Sequence, residues 1–244
     1  MTASVCSGIR TADALRCKPG FRERENGEGE AAMGHHGRRA VVLITGLVSV
    51  LGLGASAWAQ DRMSPIPANQ LTEQQAKALA DFVAARGQPT GPWIVLMRSP
   101  EVMSRARGLS DYLRYQSILP GWLREFVILM TARQWSQSYE WNVHYKLAVD
   151  EGLSAEVARA IAEGRRPEGM VEEEAILYDL CMELQRNQGV SDATYARALD
   201  RFGEQGIVET VSLMGYYTMI SMVLNTARTP LPAGVKPALS PFPH

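Results

Sequence analysis

Beyond residue 70 the apolar positions of this chain recur at three- and four-residue spacing, the period of one face of a helix. Ala76, Leu79, Ala80 and Val83 form one such face. Thr72 stands as its N-cap, Gln75 at the capping-box position, and Gly87 ends it. The stretch GQPTGPW reads as a loop. Ser99-Pro100 opens a second helix, a serine cap followed by proline at the first helical position, and it runs to about Tyr115. Leu119-Pro120-Gly121 breaks the chain. Leu123 to Gln134 is strongly apolar, with Phe126, Val127, Leu129 and Met130 on its buried side. After Ser136-Gln137-Ser138 the pattern predicts a helix from about Tyr139 to Glu151, with Gly152 as its C′ residue. Ser154 caps the next, which stops at Gly164. Another spans Glu172 to about Asn187, and a further one, capped by Ser191 or Asp192, ends near Gly203. Ile207 to Asn225 is nearly all apolar, which calls for burial in a core or an oligomer interface, and Met214, Met219 and Met222 are assigned to that core. The proline-rich tail from Thr229 is expected to lie extended. No alternating strand pattern exceeds four residues, so the fold class is all-α.

Ahead of these elements the character changes. Residues 1–32 carry Arg, Glu and Gly with no apolar period and read as a disordered extension, or as sequence upstream of the true start. From Met33 the chain runs through a basic MGHHGRR, one apolar run from Ala40 to Ala59, and an A-x-A frame at Ala57 and Ala59. That is the order of a signal peptide over 33–59, cleaved after Ala59. The Arg38-Arg39 pair also allows twin-arginine export, and an uncleaved anchor is the alternative. The remaining chain divides into a helical domain, 60–228, and the tail, 229–244. It would be exported, periplasmic, and without membrane attachment. Over all 244 residues, 46% are hydrophobic and 21% charged, which excludes wholesale disorder and a polytopic membrane protein. A net charge of −1 gives no electrostatic case for nucleic acid. Cleavage removes Cys6, Cys17, His35 and His36. Cys181 is then the one cysteine, so neither an internal disulfide nor a redox thiol pair can form. His144 and the terminal His244 are the histidines that stay.

Chemistry-bearing residues concentrate in REFVILMTARQWSQSYEWNVHYKLA, residues 124–148. Glu140 and His144 are four apart and share a helix face, near the end whose dipole favours a carboxylate. A carboxylate beside imidazole suits general acid–base work. A tight turn could bring Glu125, alone in an apolar run, against the same face. His144 is expected at a site edge, partly exposed, where its removal costs little stability. The alternatives are a solvated Glu–His pair and a surface Arg124–Glu125 pair. Arg124, Arg133, Tyr139 and Tyr145 are candidate substrate contacts. Trp141 is counted with them, although Trp122, Trp135 and Trp141 equally fit a core or a subunit contact. Two ligands without a second nearby histidine do not make a usual zinc set, and no phosphate loop, G-x-S-x-G or HExxH occurs, so no metal and no cofactor are expected.

The carboxylate helix, polar break, Y-E-W-N-V-H-Y-K-L-A and following G-L-S turn resemble the carboxymuconolactone decarboxylase family over roughly residues 65–228. The resemblance implies an alkyl hydroperoxidase D-like helical bundle assembled as a homotrimer or homohexamer. In the peroxidase branch a glutamate, a C-x-x-C pair and a histidine would fall on Glu125, Gln137, Glu140 and His144, so both thiols are absent. In the decarboxylase branch the E-x-x-x-H arrangement matches Glu140 and His144. It implies His144 as general acid or base, with Glu140 orienting it or shuttling a proton. Three functions follow: a cofactor-free lyase or isomerase on a small organic acid or lactone, a peroxidase-like oxidoreductase relying on Cys181, or a non-catalytic helical oligomer that binds a small ligand or partner. If the 33–59 segment is a signal peptide, N-terminal sequencing of protein exported by a Gram-negative host should begin at Gln60. A mature cytosolic chain beginning near Met33 would contradict it.

Overall fold

A computed structural model describes residues 61–240. The expectations for the signal segment, its cleavage point, Cys6, Cys17 and His244 lie outside the described residues. Among the described residues the fold is all-α, with no strand: a 3₁₀ turn at Ala68–Gln70, then α1 (Glu73–Arg86), α2 (Pro92–Leu96), α3 (Pro100–Tyr115), α4 (Gly121–Gln134), α5 (Ser138–Asp150), α6 (Ala155–Ala162), α7 (Glu172–Asn187) and α8 (Asp192–Ala227).

The local signals explain most boundaries. Thr72 and Gln75 form the capping box of α1, and Gly87 follows its last turn. Ser99 occupies the N-cap position of α3 but makes no side-chain cap, leaving Pro100 as the starting signal. Ser154 and Ser191 cap α6 and α8 through the backbone N–H groups of Glu156 and Thr194. Helix α8 breaks at Gly203, whose φ of 66° lies in the region that favours glycine, so the two expected helices meet there. Residues 87–93 are not wholly loop, because Pro92 and Trp93 already belong to α2. Five residues are too few to show a period. Gly91, at φ 53°, turns the chain, and Trp93 packs on Phe82 with ring centroids 5.0 Å apart.

Helix α4 is the axis of the molecule and packs against α5, α6, α7 and α8. It is buried on all sides rather than on one: Phe126, Val127, Ile128 and Leu129 are fully covered, and so is Thr131, whose hydroxyl donates to the Val127 carbonyl. Helix α8 is long and apolar enough to cross a membrane, but half of its apolar stretch is buried within the protein. Its core face carries Leu213, Tyr217, Ile220 and Leu224. Met214 is buried and Met219 packs on the core, whereas Met222 is 49% exposed, against expectation. It stands about half a turn round the helix from Leu213, on the outward face. The described part of the proline-rich tail, residues 229–240, has no helix and is docked on the protein. Leu239 is buried in the core, and Arg133 Nη1 donates to the Ser240 carbonyl.

One polar tie on α8 escaped the apolar pattern. The buried Glu209 carboxylate accepts hydrogen bonds from Tyr112 Oη at 2.6 Å, Ser117 Oγ at 2.6 Å, the Ile118 N–H at 2.9 Å and Gln205 Nε2 at 2.8 Å. It thereby anchors the α3–α4 connection to α8. Burial alone would push this carboxyl up, but the hydrogen bonds to Ser117, Tyr112, Gln205 and the Ile118 amide outweigh it and hold the pKa at about 2. A depressed folded pKa contributes stability that is present above the unfolded value of 4.5 and is lost as pH falls toward 2. Glu209→Gln should therefore cost on the order of 1–3 kcal/mol at pH 7. In chemical denaturation the gap to wild type should close at low pH. A gap that persists unchanged at pH 2 would contradict the assignment.

Candidate active site

The turn between α4 and α5 builds the site. The Ser136 N–H bonds the Arg133 carbonyl and the Gln137 N–H bonds the Ala132 carbonyl, a Schellman closure with Ser136 left-handed at φ 46°. The Gln137 side chain then caps α5, accepting from the Tyr139 N–H at 2.7 Å, and its amide donates to Asn225 Oδ1 at 2.8 Å. Asn225 in turn donates to the Trp135 carbonyl at 3.0 Å, so the end of α8 grips the turn. This reversal lays α5 back along α4 and brings together Glu125, Glu140 and His144.

The three residues are all buried, none more than 7% exposed. His144 Nδ1 lies 2.5 Å from Glu125 Oε2, and Nε2 lies 3.4 Å from Glu140 Oε2. The stronger contact belongs to Glu125, so the carboxylate that orients the ring is on α4, not four residues upstream on α5. Tyr217 on α8 closes the far side, edge-on to the imidazole at 5.0 Å between centroids. Sequence spacing left open whether burial or the carboxylates would control the imidazole. Burial pushes it down, but the hydrogen bonds to Glu125 and Glu140, with their charges, outweigh it, and the pKa lies above 6.5.

His144 and Glu140 line a cavity of about 170 Å³ with Arg86, Arg114, Tyr139, Tyr216 and Tyr217. Glu125 does not line it and stands behind the ring. Of the expected substrate contacts, Tyr139 lies on the cavity wall, packed so closely on Gly91 that a Cβ there would collide with its ring. Arg133 and Trp141 are not brought to the site. Arg133 sits in the last turn of α4 and reaches the C-terminal tail. Trp141 is packed in the core at 2% exposure and does not line the cavity. Arg124 bonds the Leu119 carbonyl, and Tyr145 stacks on Trp141 in an exposed position. Sequence reading passed over Arg114, Tyr216 and Tyr217, which come from α3 and α8. No local motif marks them, although two tyrosines in the nearly all-apolar stretch of α8 were a usable signal.

Full burial also corrects the expectation that His144 is partly exposed and cheap to remove. Truncation to Ala would leave two buried carboxylates without their shared partner, a strongly destabilising arrangement. The two carboxylates engage opposite ring nitrogens and do not converge on one ion. Among the described residues no group of three or more His, Cys, Asp or Glu side chains is placed to hold a metal. Cys181 is fully buried on α7, and burial pushes its thiol up to about 12. No protein-family model and no curated protein matches the chain.

In an NMR titration the imidazolium of His144 should persist above pH 6.5, and Glu125→Gln should lower its pKa. Because the folded value is raised, the stability it contributes is complete below 6.5 and fades as pH rises through the folded pKa. A wild-type value at or below 6.5 would show that desolvation dominates.

Proposed function

We propose that this chain is a carboxymuconolactone decarboxylase-like protein with an alkyl hydroperoxidase D-like fold. In this reading it is a cofactor-free lyase or isomerase acting on a small organic acid or lactone. The observation that carries it is His144 clasped between Glu125 and Glu140 on the wall of a cavity. That arrangement is an oriented general acid–base with a second carboxylate at its other ring nitrogen. The exported location and the homotrimeric or homohexameric assembly belong to the same proposal, the first resting on the sequence pattern and the second on the family resemblance.

In the decarboxylation a β,γ-unsaturated lactone acid loses CO₂ as the bond to its carboxylate carbon breaks. The electron pair spreads through the conjugated system, and imidazolium Nε2 delivers a proton to the far carbon. Glu125, hydrogen-bonded at Nδ1, stabilises the charged ring, and Glu140 returns a proton from the cavity side. An isomerase would employ the same groups without loss of CO₂. The thiol-peroxidase alternative would need a thiolate, and a buried Cys181 with a raised pKa is a poor source of one. A non-catalytic ligand-binding role would need only the cavity.

The test is a panel of small lactone acids incubated with purified protein, with CO₂ release and isomerisation followed together. His144→Gln, checked for a native melting profile, should reduce the rate by on the order of 10²–10⁴. Glu140→Gln should lose less, and Cys181→Ala should change nothing. Dithiol-dependent hydroperoxide turnover abolished by Cys181→Ala would overturn the reading.

A further inference from the structure

The guanidinium of Arg114 is the group in the cavity that the acid–base proposal leaves unused. It lies in the last turn of α3 and lines the same wall as His144 and Glu140. Arg86, the other arginine there, is committed: its Nε donates to Asp111 at 3.0 Å and its Nη2 to Ser110 Oγ at 3.3 Å. Arg114 makes no hydrogen bond of that kind. Its Nη2 pairs with Glu125 Oε1 at 3.8 Å, beyond hydrogen-bond distance, and its guanidinium lies over the Tyr115 ring at 5.3 Å. Its Nε is buried with no hydrogen-bond partner, and the side chain as a whole is 21% exposed. A guanidinium offers five donors in a planar fork that matches a carboxylate bidentately. Leaving those donors unmatched beside a cavity is costly unless a ligand completes them.

We propose that Arg114 is the anchor for the carboxylate of a small monoanionic ligand in this cavity. The charges select a monoanion. Glu125 and Glu140 oppose Arg114 and the imidazolium, so the cluster is neutral before the ligand enters, and each negative charge a ligand adds is left in a largely buried site without a compensating cation. The volume of about 170 Å³ falls below the roughly 300–1,000 Å³ of drug-sized sites, which selects a small acid. Bound at Arg114, the ligand lies on the wall shared with His144 and Glu140. The inference rests on the acid–base reading for the identity of the site, but it is tested by binding, without turnover.

The experiment titrates the full chain with two acid–amide pairs, butyrate against butyramide and benzoate against benzamide, followed by NMR of the His144 imidazole. Wild type should bind each acid at least about tenfold more tightly than its amide, since a charge-assisted pair exceeds a neutral one by at least that factor. Arg114→Gln should remove the preference while leaving amide binding unchanged. If Arg114→Gln does not fold, Arg114→Lys, which keeps the charge and loses the fork, should weaken acid binding several-fold and spare the amide. Equal binding of acid and amide by wild type overturns the proposal, as does a preference retained in Arg114→Gln or, should that variant not fold, undiminished acid binding by Arg114→Lys. A protein with the acid preference but no lyase or isomerase turnover would lose the functional reading alone. One with turnover but no preference would lose this inference alone.

Discussion

The contact between Glu125 and His144 is the constraint around which the rest of the molecule is arranged. A carboxylate on the central helix α4, only 7% exposed, has little water to solvate it. Such a charge is tolerated only with a partner, and the imidazole at 2.5 Å is that partner. The partner must arrive from α5, which fixes how tightly α4 and α5 are joined. The left-handed Ser136, the capping Gln137 and the grip of Asn225 all serve that reversal. Once His144 is held by Nδ1, Nε2 is left toward Glu140 and the cavity, and Tyr217 limits how the ring can rotate.

The same logic separates this site from thiol chemistry. Gln137 closes the helix cap and Glu140 meets the imidazole, at the two positions that the resemblance to the peroxidase branch would give to a C-x-x-C pair. Both positions are buried and occupied by interactions that hold the turn together. The cysteine that remains lies on another helix, in the core, with its thiol pushed up to about 12. A carboxylate relay around a histidine supports proton transfer. It does not by itself support peroxide reduction, which needs a nucleophilic sulfur.

Much of this was legible in the sequence because it is local. Helix starts at Thr72, Ser154 and Ser191 and the break at Gly203 follow from caps and backbone freedom, which depend on a few neighbouring residues. The grouping of Glu140 with His144 follows from helical spacing, and the approach of Glu125 from the shortness of the turn. What sequence could not give is set by packing between distant elements. Arg114 and Tyr217 reach the cavity from α3 and α8, and Glu209 gathers donors some ninety residues away in sequence. Arg133 and Trp141 sat beside the right residues in sequence, but their directions on the helices took one to the tail and the other to the core. Met222 failed for a related reason, since an apolar residue on a mostly apolar helix still has to face one side.

If Glu125 holds the ring through Nδ1, the neutral form of His144 has its proton there, the minor tautomer of free histidine, with Nε2 open to the cavity. The ¹⁵N chemical shifts of the His144 ring, measured above its pKa in uniformly labelled protein, read this out. The account predicts a protonated, pyrrole-like Nδ1 and an unprotonated, pyridine-like Nε2, with Glu125→Gln shifting the balance. A neutral ring protonated at Nε2 in wild type would contradict it.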